Sequence, residues 1–407
     1  MDLQTKEKNF IINTYNRQPG ITPFIQRGEG PYVWDASGKR YLDFICGLGV
    51  NSFGHCHPQV VEAVCRQAKQ LMHASNLYYT EPQILLAERI VSHSCADKVF
   101  FGNSGAEANE AAIKLARKYG KITKGNAYEI ITAKRSFHGR TLAAITATGQ
   151  PKYHKGFEPI VEGFRYGEFN DLESFARLIT DETCAIMVEP VQGEGGVYPA
   201  KEAFLKGLRR LCDEHGLLLI FDEVQCGMGR TGKLFAYENY GVEPDVFTLA
   251  KALGGGLPIG VMAAKGKAAE VLTPGEHAST FGGNPVACAA ANAVFEIVTA
   301  EGFLDHVAKM GDYFRQKLRE LAVGNVVEVR GLGLMVGLEI DGDGAQVAKM
   351  CQENGLLINC IGGKILRFLP PLIVNEEQID AAVEILRNAL QGAEHTAAEG
   401  KRGEKGL

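Results

Sequence analysis

No C-x-x-C pair occurs among the ten cysteines of this 407-residue chain. That spacing marks many zinc sites and thiol–disulfide redox sites, so neither is expected. Cys46, Cys65, Cys212 and Cys288 sit among apolar residues and are expected to be reduced core thiols. An N-x-S/T sequon is also missing. No apolar run approaches the length needed to span a bilayer. The opening MDLQTKEKNF carries no apolar signal core, so a cytoplasmic location without a membrane partner is expected. Nor is there a large charge of either sign: a formal net charge of −5 gives no basic footprint for nucleic acid. What remains is 45% hydrophobic and 22% charged, an ordinary composition for a soluble globular protein. The length favours two unequal domains over one core.

The stretch from Leu217 to Lys251 carries the strongest signal. Leu217–Phe221 and Val246–Leu249 are short apolar runs of the kind buried in parallel sheets. The first ends in Asp222 and Glu223, the second just before Lys251. Ligands of wound parallel sheets bind beyond the carboxyl ends of the strands. An acid and a lysine in one such crevice suit pyridoxal phosphate, with the amine as Schiff-base former and the acid on the ring nitrogen. A strand-end acid is also commonly a helix cap or half of an ion pair, and a lysine is commonly solvated.

The same stretch holds a rival. Gly227-Met-Gly229-Arg-Thr-Gly232-Lys233-Leu234 has the G-x-G-x-x-G spacing and is one residue short of a P-loop. Leu234 stands where Ser or Thr should hold magnesium, and no amphipathic helix follows. An NTPase using Lys233 stays open at this point. His55-Cys-His57 has a metal-like spacing without further ligands, and Pro58 behind it opens a helix over 59–72.

Around this stretch, strands and helices alternate over roughly 95–265, the pattern of an α/β wound sheet. Lys98–Phe101 is expected as a strand, followed by Gly102-Asn-Ser-Gly-Ala-Glu107 and a helix over 108–119. A small-residue turn into a helix N-terminus leaves N–H groups for a phosphate. Phe137 and Arg140 interrupt the pattern after a strand over 128–132; an aromatic there can stack on a ring, and an arginine can hold a carboxylate. Strand 184–188 ends in Glu189-Pro190, before the polar loop Gln192-Gly-Glu194-Gly-Gly196. A helix over 204–215 should stop at Gly216. Beyond an Ala-rich helix over 285–300, the order changes to helix 303–322, strands near 326–330 and 334–340, helix 344–354, strand 364–368 and helix 376–391. This fits a smaller α+β domain. The expected division is 1–45 in the small domain, 46–285 in the large α/β domain, 286–392 in the small domain again, and a disordered polar tail over 393–407.

Taken in order, Asn103-Ser-Gly-Ala-Glu-Ala108, Phe137-His-Gly-Arg-Thr141, Glu189-Pro-Val-Gln-Gly-Glu-Gly-Gly196, Asp222-Glu-Val-Gln225, Lys251, Ser279-Thr-Phe-Gly-Gly-Asn-Pro285 and Arg367-Phe-Leu-Pro-Pro-Leu372 make a recognisable set. The chain resembles the class III, fold-type I aminotransferases over about residues 10–392. Within the class, Asn13–Pro19 and Gly49–Pro58 are similar to members that take N-acetylornithine as amino donor, a step of arginine biosynthesis. Succinylornithine, ornithine, 4-aminobutyrate and succinyl-diaminopimelate are the other donors the class allows.

That resemblance implies a fold-type I architecture, a mostly parallel seven-stranded sheet with a second, smaller domain built from both ends of the chain. It also implies pyridoxal 5'-phosphate as cofactor, 2-oxoglutarate as acceptor, no metal, and a homodimer. Lys251 would hold the cofactor and later shuttle a proton, with Asp222 on the pyridinium nitrogen. Val224 and Phe137 would flank the ring, and Gln225 would meet its phenolic oxygen. Gly105 and Ala106, with Ser104 nearby, would bind phosphate, joined by Thr280 from the partner subunit. Arg140 and Ser279 would hold the acylated donor. Arg367 would bind the α-carboxylate of 2-oxoglutarate, with Glu194 as an ion-pair partner that swings aside. Ala278 and Phe281 depart from the Gly and Tyr common in the class, and bear on substrate choice.

Overall fold

The two apolar runs that end near Asp222 and Lys251 lie side by side. In a computed structural model of the chain, Leu218–Asp222 and Val246–Leu249 pair in parallel, with Ile220 opposite Val246 and Asp222 opposite Thr248. The structure describes residues 2–403 except 16, 322 and 324, without the side chains of 394–403.

Both strands belong to a seven-stranded sheet. Its members, numbered here in chain order, are β1 (Lys98–Gly102), β2 (Glu129–Ala133), β3 (Phe164–Gly167), β4 (Thr183–Val188), β5 (Leu218–Asp222), β6 (Val246–Leu249) and β7 (Gly260–Ala264). The spatial order is β1-β7-β6-β5-β4-β2-β3. All neighbours are parallel except β7, which is antiparallel to both β6 and β1. Every residue of β2, β4, β5, β6 and β7 is buried. Covered on both faces, such strands are rich in apolar residues without the alternation of a one-sided sheet, and that is why they stand out in the sequence.

Helix Gly105–Thr123 packs across the sheet through a row of small residues that includes Ala108, Ala112 and Ala116. Helix Glu202–His215 ends at Gly216, whose φ of 62° is the left-handed geometry that a glycine stop supplies. Helix Pro285–Val298 packs against helices Pro58–Gln70 and Glu81–Ser92.

A second, antiparallel sheet comes from the C-terminal part: Val326–Leu332, Met335–Ile340, Ile365–Phe368 and Asn359–Ile361, in that spatial order. A third joins the two ends of the chain. Ile25–Glu29, Tyr32–Asp35 and Arg40–Asp43 pair in series, and Leu356–Leu357 adds in parallel to Arg40–Asp43.

Several elements depart from the sequence pattern. Strand β3 has no apolar run because it is a half-buried sheet edge. Helix Leu3–Phe10 buries nothing and so shows no stripe; Asp2 caps it by accepting from the Thr5 N–H at 2.8 Å. The last helix, Glu376–Gly403, continues past the expected end at 391, through a segment rich in the helix formers Ala and Glu. Of the tail expected to be disordered, 404–407 lie outside the described residues. Cys65, expected in the core, is exposed, while Cys46, Cys212 and Cys288 are buried. Its helix buries Val60, Ala63 and Gln67, and Cys65 falls off that stripe.

Candidate active site

Beyond the carboxyl ends of β5 and β6 lies a cavity of about 430 Å³. Gly105 and Ala106, Phe137, Arg140, Glu189, Glu194, Asp222, Val224, Gln225 and Lys251 all line it. Residues separated by as much as 146 positions in the chain therefore share one crevice, because β5 and β6 end together and the loops after β1, β2 and β4 open on the same side.

Asp222 is 4% exposed and fully partnered. Its Oδ2 accepts from Asn109 Nδ2 and pairs with His138 Nδ1, each at 2.8 Å, and its Oδ1 accepts from the Val224 N–H at 3.0 Å. Asn109 is itself fixed: Nδ2 also donates to the His138 carbonyl at 2.7 Å, and Oδ1 accepts from the Thr248 hydroxyl at 2.7 Å. Burial works against a charged His138. The hydrogen bond and charge of Asp222, helped by Glu189, outweigh it and raise the imidazole above its ordinary pKa. His138 and Asp222 thus form a buried hydrogen-bonded pair in which the carboxylate favours the charged imidazole.

Lys251 follows β6 with a φ of +43°, a conformation that costs a non-glycine residue about 1–3 kcal/mol and tends to mark functional sites. Burial lowers its amine pKa. The charge of Glu194 pushes back upward, and Arg367 lowers it again. A larger neutral fraction is a more nucleophilic lysine.

At the start of helix Gly105–Thr123, the Ser104 hydroxyl accepts from the Glu107 N–H at 3.2 Å. The first residues of that helix, Gly105 and Ala106, line the cavity, and an α-helix N-terminus leaves its first N–H groups free for an anion. Gly105 is needed for close approach, since a Cβ there would meet Val224 Cγ1 at 2.7 Å. Phe137 packs edge-on against Tyr153, with ring centroids 5.9 Å apart.

Two arginines stand differently toward the cavity: Arg140 lines it, whereas Arg367 does not line it and is joined to it through Glu194 and Gln225. Arg367 is buried to 1% exposure in strand Ile365–Phe368. Its Nη1 donates to Glu194 Oε1 and, at 3.2 Å, to Gln225 Oε1; its Nε donates to Asn359 Oδ1 at 3.0 Å. Its Nη2 is buried without a partner. Burial opposes the Glu194 carboxylate, but the Arg367 charge wins and holds its pKa below the ordinary value. Arg140 has no carboxylate partner among the described residues and rests over the Tyr153 ring at 4.2 Å.

Ser279 and Thr280 do not line this cavity. They border a neighbouring hollow of about 370 Å³, with Asn103 common to both. Asn103 Nδ2 donates to Ser279 Oγ at 3.1 Å, and Thr280 is exposed. The near-P-loop is no phosphate loop: Gly227 to Leu234 form a largely buried turn, followed by a short 3-10 turn, Ala236–Tyr240, instead of an α-helix. His55 pairs with Asp43 at 2.8 Å, and His57 precedes helix Pro58–Gln70.

Asn109, His138 and Glu189 were given no role by the sequence. Asn109 did carry a signal, as an amide on the buried face of an Ala-rich helix.

The sequence matches the aminotransferase class-III family over residues 14–390. The chain belongs to the class-III aminotransferases. It is 56% identical over 390 residues to the acetylornithine aminotransferase of Caldanaerobacter subterraneus subsp. tengcongensis, covering 95% of this chain and 98% of that one. Identity to the acetylornithine aminotransferase of Methanocaldococcus jannaschii is 53% over 383 residues, covering 93% and 96%. Among solved structures, the ornithine aminotransferase of Toxoplasma gondii ME49 is similar with a TM-score of 0.92 at 33% identity, covering 97% of this chain and 95% of that one. The acetylornithine aminotransferase of Elizabethkingia anophelis has a TM-score of 0.84 at 36% identity, covering 96% and 98%.

Class-III aminotransferases depend on pyridoxal phosphate, and this chain does too. The residues present fit that group. The cavity offers a helix N-terminus for a phosphate, a lysine of depressed pKa and a buried aspartate hydrogen-bonded to His138 and Asn109. Among the described residues no single helix is long and apolar enough to cross a membrane.

Proposed function

We propose that this class-III aminotransferase moves the terminal amino group of N-acetylornithine to 2-oxoglutarate, giving N-acetylglutamate 5-semialdehyde and glutamate, a step of arginine biosynthesis. The observation that carries the reading is a pair of unlike arginines: Arg140, unpaired, lines the cavity, and Arg367 lies behind it, tied to the cavity-lining Glu194. Two substrates whose carboxylates lie at different distances from the reacting nitrogen need two anchors. A glutamate that can release one anchor lets the substrates alternate. Relatives at 50–56% identity over nearly the whole chain, all acetylornithine aminotransferases, support the choice of donor.

Bound at this site, pyridoxal phosphate supplies an electrophilic carbon and a ring that accepts electrons. The chain's residues then have distinct tasks. Gly105 and Ala106, beside Ser104, hold the phosphate through N–H groups. Val224 and Phe137 would flank the ring, and Gln225 would contact its phenolic oxygen. Asp222, positioned by His138 and Asn109, would keep a proton on the ring nitrogen. The Lys251 amine would hold the cofactor and, once released by substrate, would take the proton from the substrate's nitrogen-bearing carbon and return it to the cofactor in one half-reaction, and the reverse in the other, as general base and acid. Arg367 anchors the α-carboxylate of 2-oxoglutarate, while Arg140 and Ser279 anchor the acylated donor. Thr280 reaches the phosphate of the partner subunit in a cytoplasmic homodimer; its exposure, away from its own cavity, supports this.

Ornithine as donor is the second reading, favoured by the fold match to ornithine aminotransferases. Initial rates with both substrates varied test the mechanism. Parallel double-reciprocal lines, abolished turnover in Lys251→Ala and unaffected turnover in Lys233→Ala are expected. Intersecting lines, or activity surviving in Lys251→Ala, would contradict it. Mixed dimers of Lys251→Ala and Thr280→Val chains should recover about a quarter to a half of wild-type cofactor-bound sites if sites are shared, and each homodimer should be impaired.

A further inference from the structure

Glu189 follows β4 directly, is 5% exposed, and has no lysine or arginine partner among the described residues. Its two oxygens reach two different loops. Oε2 accepts from the Phe137 N–H at 3.0 Å, and Oε1 accepts from the Gly193 N–H at 3.1 Å. The first loop carries Phe137 into the cavity, and the second carries Glu194. Gln192 also ties these loops, donating to the Lys134 carbonyl at 2.9 Å, but neither of those residues lines the cavity.

We infer that Glu189 is a positioning residue whose single carboxylate fixes Phe137 and Glu194 relative to one another. The inference rests on the reading above, in which Phe137 flanks the cofactor ring and Glu194 partners Arg367. A carboxylate suits the task because it accepts at both ends. Glutamine has the same shape but presents an NH2 to one of the two N–H donors, so one tie must break. Burial pushes the Glu189 carboxyl up to about 7; His138 opposes that and Asp222 adds to it. A catalytic role by contact with substrate is not required.

The test compares wild type with Glu189→Gln. Hydrogen exchange, followed by mass spectrometry on cofactor-free protein, should quicken in peptides holding the Phe137 and Gly193 amides. The visible circular dichroism of bound pyridoxal phosphate should change amplitude as the ring reorients. KM for 2-oxoglutarate should rise about fivefold or more, the effect of one lost buried hydrogen bond, with a smaller change in kcat and a thermal midpoint lower by only a few degrees. Wild-type exchange and dichroism in the variant would overturn the inference. So would a thermal midpoint lowered by much more, with uniform loss of kcat, which marks a purely structural role. If Glu189→Gln does not fold, Glu189→Asp keeps both acceptors on a shorter stem. A shift in the same readouts then supports the inference, and none overturns it. Failure of wild type to use N-acetylornithine would sink the choice of donor alone, since exchange and dichroism need no substrate.

Discussion

Arg367 and Glu194 form an ion pair in which the arginine is buried to 1% exposure and the glutamate is not, its side chain being 24% exposed. The partner open to solvent is therefore the acid. Because Arg367 Nη2 has no partner, the guanidinium retains donor capacity for an incoming carboxylate. Arg367→Ala should weaken the 2-oxoglutarate half-reaction by about 10²-fold or more in kcat/KM, the cost of an unpaired charge-assisted contact. The N-acetylornithine half-reaction should change much less. Stopped-flow traces of the two half-reactions decide it, and equal damage to both would remove Arg367 from its role.

Asp222 accepts from three donors, so an isosteric asparagine in its place would retain the shape while losing the charge. Asp222→Asn should still bind pyridoxal phosphate. Its C–H cleavage should slow by about 10²–10³-fold, the scale of one lost preorganised electrostatic contact. A deuterium isotope effect on the donor half-reaction that grows in the variant would show that this step has become limiting. Wild-type rates would refute the assignment.

The Lys251 amine feels burial first, then Glu194 and Arg367 with opposite signs. Covalent capture of pyridoxal phosphate by cofactor-free protein should speed up as pH rises through the lysine pKa. Glu194→Gln removes an upward influence and should move that profile to lower pH. Arg367→Ala removes a downward one and should move it to higher pH. Shifts in the same direction would contradict this account of the site's field.

Glu223 is buried and accepts from the Ala236 and Tyr237 N–H groups at 2.5 and 2.7 Å. Burial lifts its carboxyl from an ordinary 4.5 to about 8, against those hydrogen bonds. The folded pKa lies above the unfolded one. The stability this group contributes is therefore fully present below about 4.5 and lost as pH rises through about 8. The thermal midpoint should fall by a few degrees between pH 6 and pH 9. In Glu223→Gln the fall should be smaller; an identical slope would assign it to other groups.

Much of this site was legible because its ends are written in short apolar runs. Buried strands β5 and β6 are mostly apolar, so Asp222 at the end of one and Lys251 two residues past the other announce the crevice. The cradle at Gly105 was equally plain, since a turn of small residues into a helix is a local pattern. Edge strand β3 was missed for the opposite reason: half-buried, it needs no such run. The partners of Asp222 were also missed. His138 and Asn109 lie 84 and 113 positions away, and only the wound sheet brings them to it. Cys65 shows the limit of reading composition alone, for apolar neighbours on a helix alternate between faces.

The central claim is tested most directly by one half-reaction without keto acid. Protein carrying pyridoxal phosphate is mixed with N-acetylornithine or with ornithine, and the visible absorbance is followed. The account predicts rapid conversion to the pyridoxamine form with N-acetylornithine and far slower conversion with ornithine. Conversion by ornithine alone, or by neither amine, would contradict it.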